Sequence, residues 1–151
     1  MNTQPTDLEE LSSLTVFDSG AESFLFGEKP REEQTVLLID DDTDQLLFLE
    51  NLLLKGDYRT ISTSSAQEAV KIAKHKKIDL VICDLQMPKM NGIEFVQKIR
   101  STKDCSLLPV IIITSNPAGM EIEALKTGAD MFCEKRAAAK LLLYQVNCLL
   151  E

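Results

Sequence analysis

Four short apolar runs in this sequence are followed closely by polar side chains that could do chemistry together. Three consecutive aspartates, residues 40–42, follow the first run, Asp84 and Thr114 follow the next two, and Lys135 lies just beyond the last. Carboxylates held close together repel one another unless a cation compensates them. Mg2+ prefers carboxylate and phosphate oxygens, and a hydroxyl and an ammonium beside it suit an oxyanion. The set therefore indicates in-line phosphoryl transfer to a carboxylate.

The elements that must position these side chains alternate along the chain. The hydrophobic pattern predicts strands at 36–39, 58–62, 80–83, 110–113 and 131–133, and helices at about 43–55, 65–76, 92–101, 118–127 and 137–149. Apolar strands between amphipathic helices are typical of a parallel sheet that is covered on both faces. Right-handed crossovers then give an α/β fold, a (βα)5 doubly wound five-stranded sheet. Such a sheet binds ligands beyond the carboxyl ends of its strands, where all four polar groups would meet.

Each of these residues, taken alone, has an ordinary structural explanation. An aspartate after a strand often caps the next helix, and Asp42 or Thr43 is expected to do so here. A single threonine at a strand end is usually structural, and a single lysine is usually solvated. Their joint occurrence at four strand ends favours a functional site over four separate coincidences.

Two other acidic motifs are excluded by individual residues. A calcium loop beginning at Asp40 would need glycine at its sixth position and glutamate at its twelfth, where this chain has Gln45 and Asn51. A haloacid-type phosphatase motif would need threonine or valine where Asp44 stands. His75 lies in a basic stretch at a predicted helix end and is interpreted as a solvated cation.

Composition and charge limit the remaining possibilities. The chain has 151 residues and a net charge of −8, of which residues 1–33 contribute −6. We interpret 1–33 as an acidic, disordered tail, with a transient helix or a partner-binding segment as the alternative, and 34–151 as one domain. We expect neither nucleic-acid binding nor membrane insertion. The four cysteines have no CxxC spacing, which argues against zinc and for free thiols in a cytoplasmic protein.

Residues 35–150 resemble a response-regulator receiver domain along their whole length. The resemblance lies in the segments VLLIDDD (36–42), DLVICDLQMPKMNGIEF (79–95), PVIIITS (109–115) and GADMFCEK (128–135). It implies a flavodoxin-like fold and a place in two-component or phosphorelay signalling. It also implies that Asp84 is the phosphoacceptor, and that Mg2+ or Mn2+ is held by Asp40, Asp41, Asp84 and the backbone carbonyl of Gln86.

The resemblance also assigns the residues that respond to the phosphoryl group. Thr114 resembles the hydroxyl that bonds the phosphoryl group, Lys135 the lysine that pairs with it, and Phe132 the aromatic residue that turns inward on activation. The family usually has proline after this lysine, whereas this chain has Arg136. A trans peptide bond is expected there, because a cis bond before a non-proline residue costs about 2.5–4 kcal/mol.

The resemblance implies a signalling protein that modifies only its own aspartate, and not an enzyme that turns over other molecules. The phosphoryl donor would be a histidine kinase or a histidine phosphotransfer protein. We expect a single-domain receiver with output through protein contacts on the face formed by the fourth helix, fifth strand and fifth helix. The alternative is a scaffold on the same fold that binds partners independently of phosphorylation.

Overall fold

The apolar runs of the sequence form the three central strands of one parallel sheet. The computed structural model describes residues 29–137 and 139–151. Within them lie the strands β1 (Thr35–Ile39), β2 (Arg59–Thr63), β3 (Leu80–Asp84), β4 (Val110–Thr114) and β5 (Met131–Glu134). The strand order is β2-β1-β3-β4-β5 with every pair parallel, which confirms the predicted fold. The winding direction reverses between β1 and β3, so the carboxyl ends of these two strands flank the expected ligand site.

Helices cover both faces of the sheet. They are α1 (Thr43–Lys55), α2 (Ala66–His75), α3 (Gly92–Arg100), α4 (Met120–Thr127) and α5 (Ala139–Leu150). Alternate strand residues point to opposite faces. Leu38 and Ile82 therefore pack with α1 and α5, whereas Leu37 and Cys83 pack with α2, α3 and α4. All four side chains are completely buried, as a central parallel sheet requires.

Side-chain caps and turns set the helix ends. Ser65 caps α2, because its hydroxyl oxygen accepts the backbone N–H of Glu68 at 3.2 Å. Asn91 and Glu94 form a reciprocal capping box at α3. α4 begins two residues later than the sequence predicts, because Gly119 adopts a left-handed φ of 76°.

Residues 29–33, which the sequence analysis assigns to the tail, contact the rest of the domain. They include a short 3-10 helix, Arg31–Glu33. The guanidinium of Arg31 lies 5.7 Å from the centre of the Tyr58 ring and also pairs with Glu151. The prediction of disorder for residues 1–28 falls outside the described residues, and the domain boundary at 34 stays a prediction.

None of the helices in the described part of the chain is long and apolar enough to cross a membrane.

Candidate functional site

Three carboxylates meet at the carboxyl ends of β1 and β3. Asp40 directly follows β1, and its N–H still bonds the carbonyl of Thr63 at 3.2 Å, so the side chain is held at the sheet edge and is completely buried. Asp84 is the last residue of β3 and is 4% exposed, whereas Asp41 faces solvent. One carboxylate oxygen from each of these three aspartates lies within 4.8 Å of the others.

Asp42, the third of the consecutive aspartates, caps helix α1. Its side chain accepts the N–H of Asp44 at 2.9 Å and that of Gln45 at 3.4 Å. Its own N–H donates to a carboxylate oxygen of Asp40 at 2.9 Å. The three consecutive aspartates therefore have different roles. Asp42 caps the helix, and Asp40 and Asp41 line the site.

Lys135 brings a cation to the same place from the end of β5. Its ammonium nitrogen lies 2.8 Å from Oδ2 of Asp40 and 3.3 Å from Oδ2 of Asp84. Its backbone N–H donates to the carbonyl of Thr114 at 2.8 Å, which fixes the turn that carries the side chain. No cis peptide bond occurs among the described residues, so the bond to Arg136 is trans as expected.

The electrostatics of the site disfavour the ionised form of Asp84. Burial, reinforced by the charge of Asp40 and partly opposed by Lys135, raises the pKa of Asp84 to about 6. Burial alone would lower the pKa of Lys135, but its contacts with Asp40 and Asp84 outweigh burial and raise it. The site contains three carboxylates and one ammonium, so it carries a net negative charge when all four groups are ionised.

The donor set of this site fits a hard divalent cation. Oδ2 of Asp40 contacts the ammonium of Lys135 but accepts no well-aligned hydrogen bond from the described residues, so it keeps free lone pairs. All three candidate side-chain ligands offer oxygen, as Mg2+ and Mn2+ prefer. The nearby Cys83 is a poor ligand, because burial raises its thiol pKa well above the ordinary value.

Gln86 lies in the loop that follows β3. Its side chain is exposed, and its N–H donates to Oδ1 of Asp84 at 3.4 Å. The bond orients the carboxylate of Asp84 and brings the backbone of this loop to the edge of the acidic site. The metal contact expected of the Gln86 carbonyl stays a prediction.

The hydroxyl of Thr114 bonds to the backbone of Asn116 in this structure. Thr114 is completely buried at the end of β4, and its Oγ1 accepts the N–H of Asn116 at 3.1 Å. The same arrangement occurs at the end of β2, where Oγ1 of Thr63 accepts the N–H of Ser65 at 3.2 Å. Thr114 therefore stabilises a turn here, and contact between its hydroxyl and a group on Asp84 stays a prediction.

Phe132 occupies the middle of the edge strand β5. It pairs in register with Ile112 of β4 and is half-buried against the core on the α2, α3 and α4 side. As a residue of the edge strand β5 it has no neighbouring strand on one side, and the resemblance predicts that its ring exchanges between exposed and buried positions. Such an exchange stays a prediction.

A family model described as the response regulator receiver domain matches residues 36–147. The chain belongs to the response-regulator receiver family. This receiver domain is 32% identical over 143 residues to histidine kinase P4 of Formosa agariphila, covering 94% of this chain and 10% of that protein. It is 28% identical to the alkaline phosphatase synthesis transcriptional regulatory protein PhoP of Bacillus subtilis, covering 76% of this chain and 48% of that protein. It therefore spans less than half the length of either relative.

Solved receiver structures share this fold. A putative response regulator from Chloroflexus aurantiacus superposes with a TM-score of 0.73 at 27% identity, covering 81% of this chain and 98% of that one. The receiver domain of a sensor histidine kinase from Pseudomonas aeruginosa superposes with a TM-score of 0.72 at 22% identity, covering 78% and 97%. A magnesium ion is coordinated in the active-site cleft of the Pseudomonas protein.

One residue that supports the receiver site, Gly92, was not predicted from the sequence to do so. Gly92 begins α3 directly beneath the site, and its N–H donates to the carbonyl of Leu85 at 2.9 Å. A Cβ atom placed on Gly92 would lie 2.7 Å from the carbonyl oxygen of Asp84 and 3.0 Å from Cα of Leu85. Glycine at this position therefore lets the helix approach the backbone that carries Asp84.

Proposed function

We propose that this receiver domain accepts a phosphoryl group on Asp84, with Mg2+ or Mn2+ held by Asp40, Asp41, Asp84 and the backbone carbonyl of Gln86. The main support is the position of Lys135, whose ammonium contacts both buried carboxylates at 2.8 and 3.3 Å. An ammonium between Asp40 and Asp84 is placed to pair with an oxyanion that is bonded to Asp84. The proposal agrees with the family to which the chain belongs.

The residues of the site would act as follows. A carboxylate oxygen of Asp84 bonds to phosphorus while the bond from phosphorus to the donor breaks, and the donor keeps that electron pair. A bound Mg2+ supplies positive charge against the phosphoryl oxygens. Lys135 turns from the carboxylates to a phosphoryl oxygen, and Thr114 exchanges its bond with Asn116 for another. The space that the threonine leaves then allows Phe132 to pack inward.

The donor we propose is a phosphohistidine on a histidine kinase or a histidine phosphotransfer protein, because transfer from imidazole to carboxylate needs only the groups named above. The downstream partner is proposed to bind the face formed by α4, β5 and α5. Large apolar side chains are exposed on its two helices: Ile122 is 67% and Leu125 40% exposed on α4, and Leu141 is 47% and Tyr144 66% exposed on α5. Location in the cytoplasm and the absence of nucleic-acid binding stay predictions.

Intact-mass spectrometry after incubation with acetyl phosphate and Mg2+ tests the proposal. Wild type should gain the mass of one phosphoryl group, and Asp84→Asn or addition of EDTA should abolish the gain. Asp104→Asn is the matched control, since Asp104 is exposed and its φ of 68° suits asparagine equally well. A wild-type protein that gains no mass from acetyl phosphate or from a phosphohistidine donor would favour the phosphorylation-independent scaffold.

A further inference from the structure

The outer surface of α2 and the residue pair that follows it carry a concentration of positive charge. Lys71, Lys74, His75, Lys76 and Lys77 form what we call the basic face, and all five are exposed. None of them forms an ion pair with another residue of the described part of the chain. In a protein of net charge −8, residues 65–77 carry a net charge of +3.

A shallow groove of about 520 Å³ runs along the basic face. It extends from Ser65 at the start of α2 to Lys76 just after its end, and Ile72 provides an apolar floor. Glu68 is the one acidic residue among those that line it. The groove thus combines cations along its sides with a small apolar surface, which suits an acidic segment that also carries apolar side chains.

The first described residue, Lys29, is paired with a residue that closely follows the basic face in sequence. The ammonium of Lys29 lies 3.1 Å from Oδ2 of Asp79, which also accepts the N–H of Thr35 at 2.8 Å. Asp79 lies only two residues beyond Lys77, so the amino-terminal segment enters the domain next to the basic face.

The segment that precedes Lys29 has the complementary charge. Residues 1–28 contain six acidic residues and no lysine or arginine. The part nearest the domain holds Asp18, Glu22 and Glu28 around the apolar run 24–26. Seven extended residues span roughly 23 Å, whereas a ten-residue helix such as α2 is roughly 15 Å long. Residues 22–28 can therefore reach the whole length of the groove.

We propose that residues 18–28 dock along the basic face of α2 in the same chain. Their carboxylates pair with the lysines, and the run 24–26 covers Ile72. Because the segment is tethered at Lys29, docking is intramolecular and proceeds at a high effective concentration. Exposed ion pairs are individually weak and are screened by salt, so the docked state depends on several pairs together and on low ionic strength. This contact is independent of phosphoryl transfer to Asp84.

Backbone NMR spectra of the full chain test the docking directly. Replacing the three proximal acids together (Asp18→Asn, Glu22→Gln, Glu28→Gln) should move the amide signals of residues 65–77. The same signals should move in wild type when NaCl is raised to about 0.5 M, where charges farther apart than a few ångströms are screened. The matched control replaces three distal acids (Asp7→Asn, Glu9→Gln, Glu10→Gln) and should leave the α2 signals unchanged.

Charge reversal on the helix side completes the test. Lys71→Glu with Lys76→Glu should release residues 18–28, so that their amide signals at low salt match those at high salt. Adding Glu22→Lys with Glu28→Lys should restore the difference between the low-salt and the high-salt signals. Unchanged α2 signals in the proximal triple variant would overturn the proposal, as would changes confined to another face. Signals that depend on protein concentration would also overturn it, because they would assign the contact to a second copy of the chain.

Discussion

The ammonium of Lys135 lies 2.8 Å from a carboxylate oxygen of Asp40, a residue that is completely buried at the end of β1. The two residues come from opposite ends of the described domain and meet only because strands β1, β3, β4 and β5 are parallel and adjacent. Without a bound metal, this lysine is the one cation that compensates the buried acids among the described residues. Lys135 therefore stabilises the fold even when no phosphoryl group is bound.

Replacing Lys135 by glutamine should destabilise the metal-free domain. The variant leaves Asp40 buried and without its cation, which we expect to reduce the free energy of unfolding by about 2 kcal/mol in EDTA, since solvent reaches the cleft. Saturating Mg2+ should restore more stability to Lys135→Gln than to wild type. Urea denaturation with and without Mg2+ measures both effects. Lys126→Gln, an exposed residue on α4, is the control, and an equal loss in both variants would contradict the compensating role.

Asp84 should make the stability of the metal-free domain fall as pH rises. Its pKa in the folded protein is about 6, above the ordinary value of 3.8, so between these values the folded state binds more protons than the unfolded state. The contribution of Asp84 to the free energy of unfolding then decreases from about pH 4 to about pH 6 and levels off above that range. Asp84→Asn removes this penalty and should be more stable than wild type at about pH 7.5 by roughly 1–2 kcal/mol, and about equal near pH 4.

Urea denaturation in EDTA across this pH range measures the difference. Asp104→Asn should follow the wild-type curve, because its side chain is exposed. If the difference in free energy of unfolding between Asp84→Asn and wild type stays constant with pH, the surroundings do not disfavour the ionised form of Asp84.

Thr114→Val should separate the turn role of this hydroxyl from its proposed signalling role. The substitution keeps the shape but leaves the N–H of Asn116 without its acceptor, at a cost of about 1 kcal/mol. Thr63→Val breaks the equivalent bond to Ser65 and should cost about as much. With acetyl phosphate and Mg2+, both variants should gain a phosphoryl group, but the NMR signals of Phe132 should move only in Thr63→Val and wild type. An equal movement in Thr114→Val would remove Thr114 from the switch.

Gly92→Ala should disturb the backbone that carries Asp84. The added methyl group would lie 2.7 Å from the carbonyl oxygen of Asp84. Because backbone cannot rotate away as a side chain can, we expect a loss of about 1–3 kcal/mol in thermal or urea denaturation. Adding Ile112→Val, which removes a methyl group 3.0 Å from the same position, should not rescue the variant. Full rescue would mean that the side chain, and not the backbone, causes the strain.

The central strands β1, β3 and β4 were predictable from the sequence because a buried parallel strand is a nearly continuous apolar run. The predicted ends of β3 and β4 differ from the observed ends by one residue, since Asp84 and Thr114 extend the ladder although they are polar. The start of α4 was harder to predict, because the left-handed conformation of Gly119 moves the first helical residue to Met120 and leaves no hydrophobic signal in the sequence. The proximity of Asp40, Asp84 and Lys135 could be predicted from their positions at or just beyond the strand ends.

Other features depend on contacts that a residue's type and position in the sequence do not reveal. The bond that turns the Thr114 hydroxyl towards Asn116, the close approach of Gly92 to Asp84, and the contact between Lys29 and Asp79 have no pattern along the chain. A threonine, a glycine or a lysine of this kind looks the same in sequence whether or not it makes such a contact. The family resemblance supplied expected roles but not these contacts.

Locating the phosphoryl group on the chain tests the central claim most directly. The protein is incubated with acetyl phosphate and Mg2+, reduced with borohydride, which converts an aspartyl phosphate into homoserine, and then analysed by peptide mass spectrometry. The account predicts homoserine at position 84 in wild type and in Asp104→Asn, and none anywhere in the Asp84→Asn variant or in EDTA. Reduction at another aspartate, or phosphorylation that persists in Asp84→Asn, would contradict the assignment of Asp84 as the phosphoacceptor.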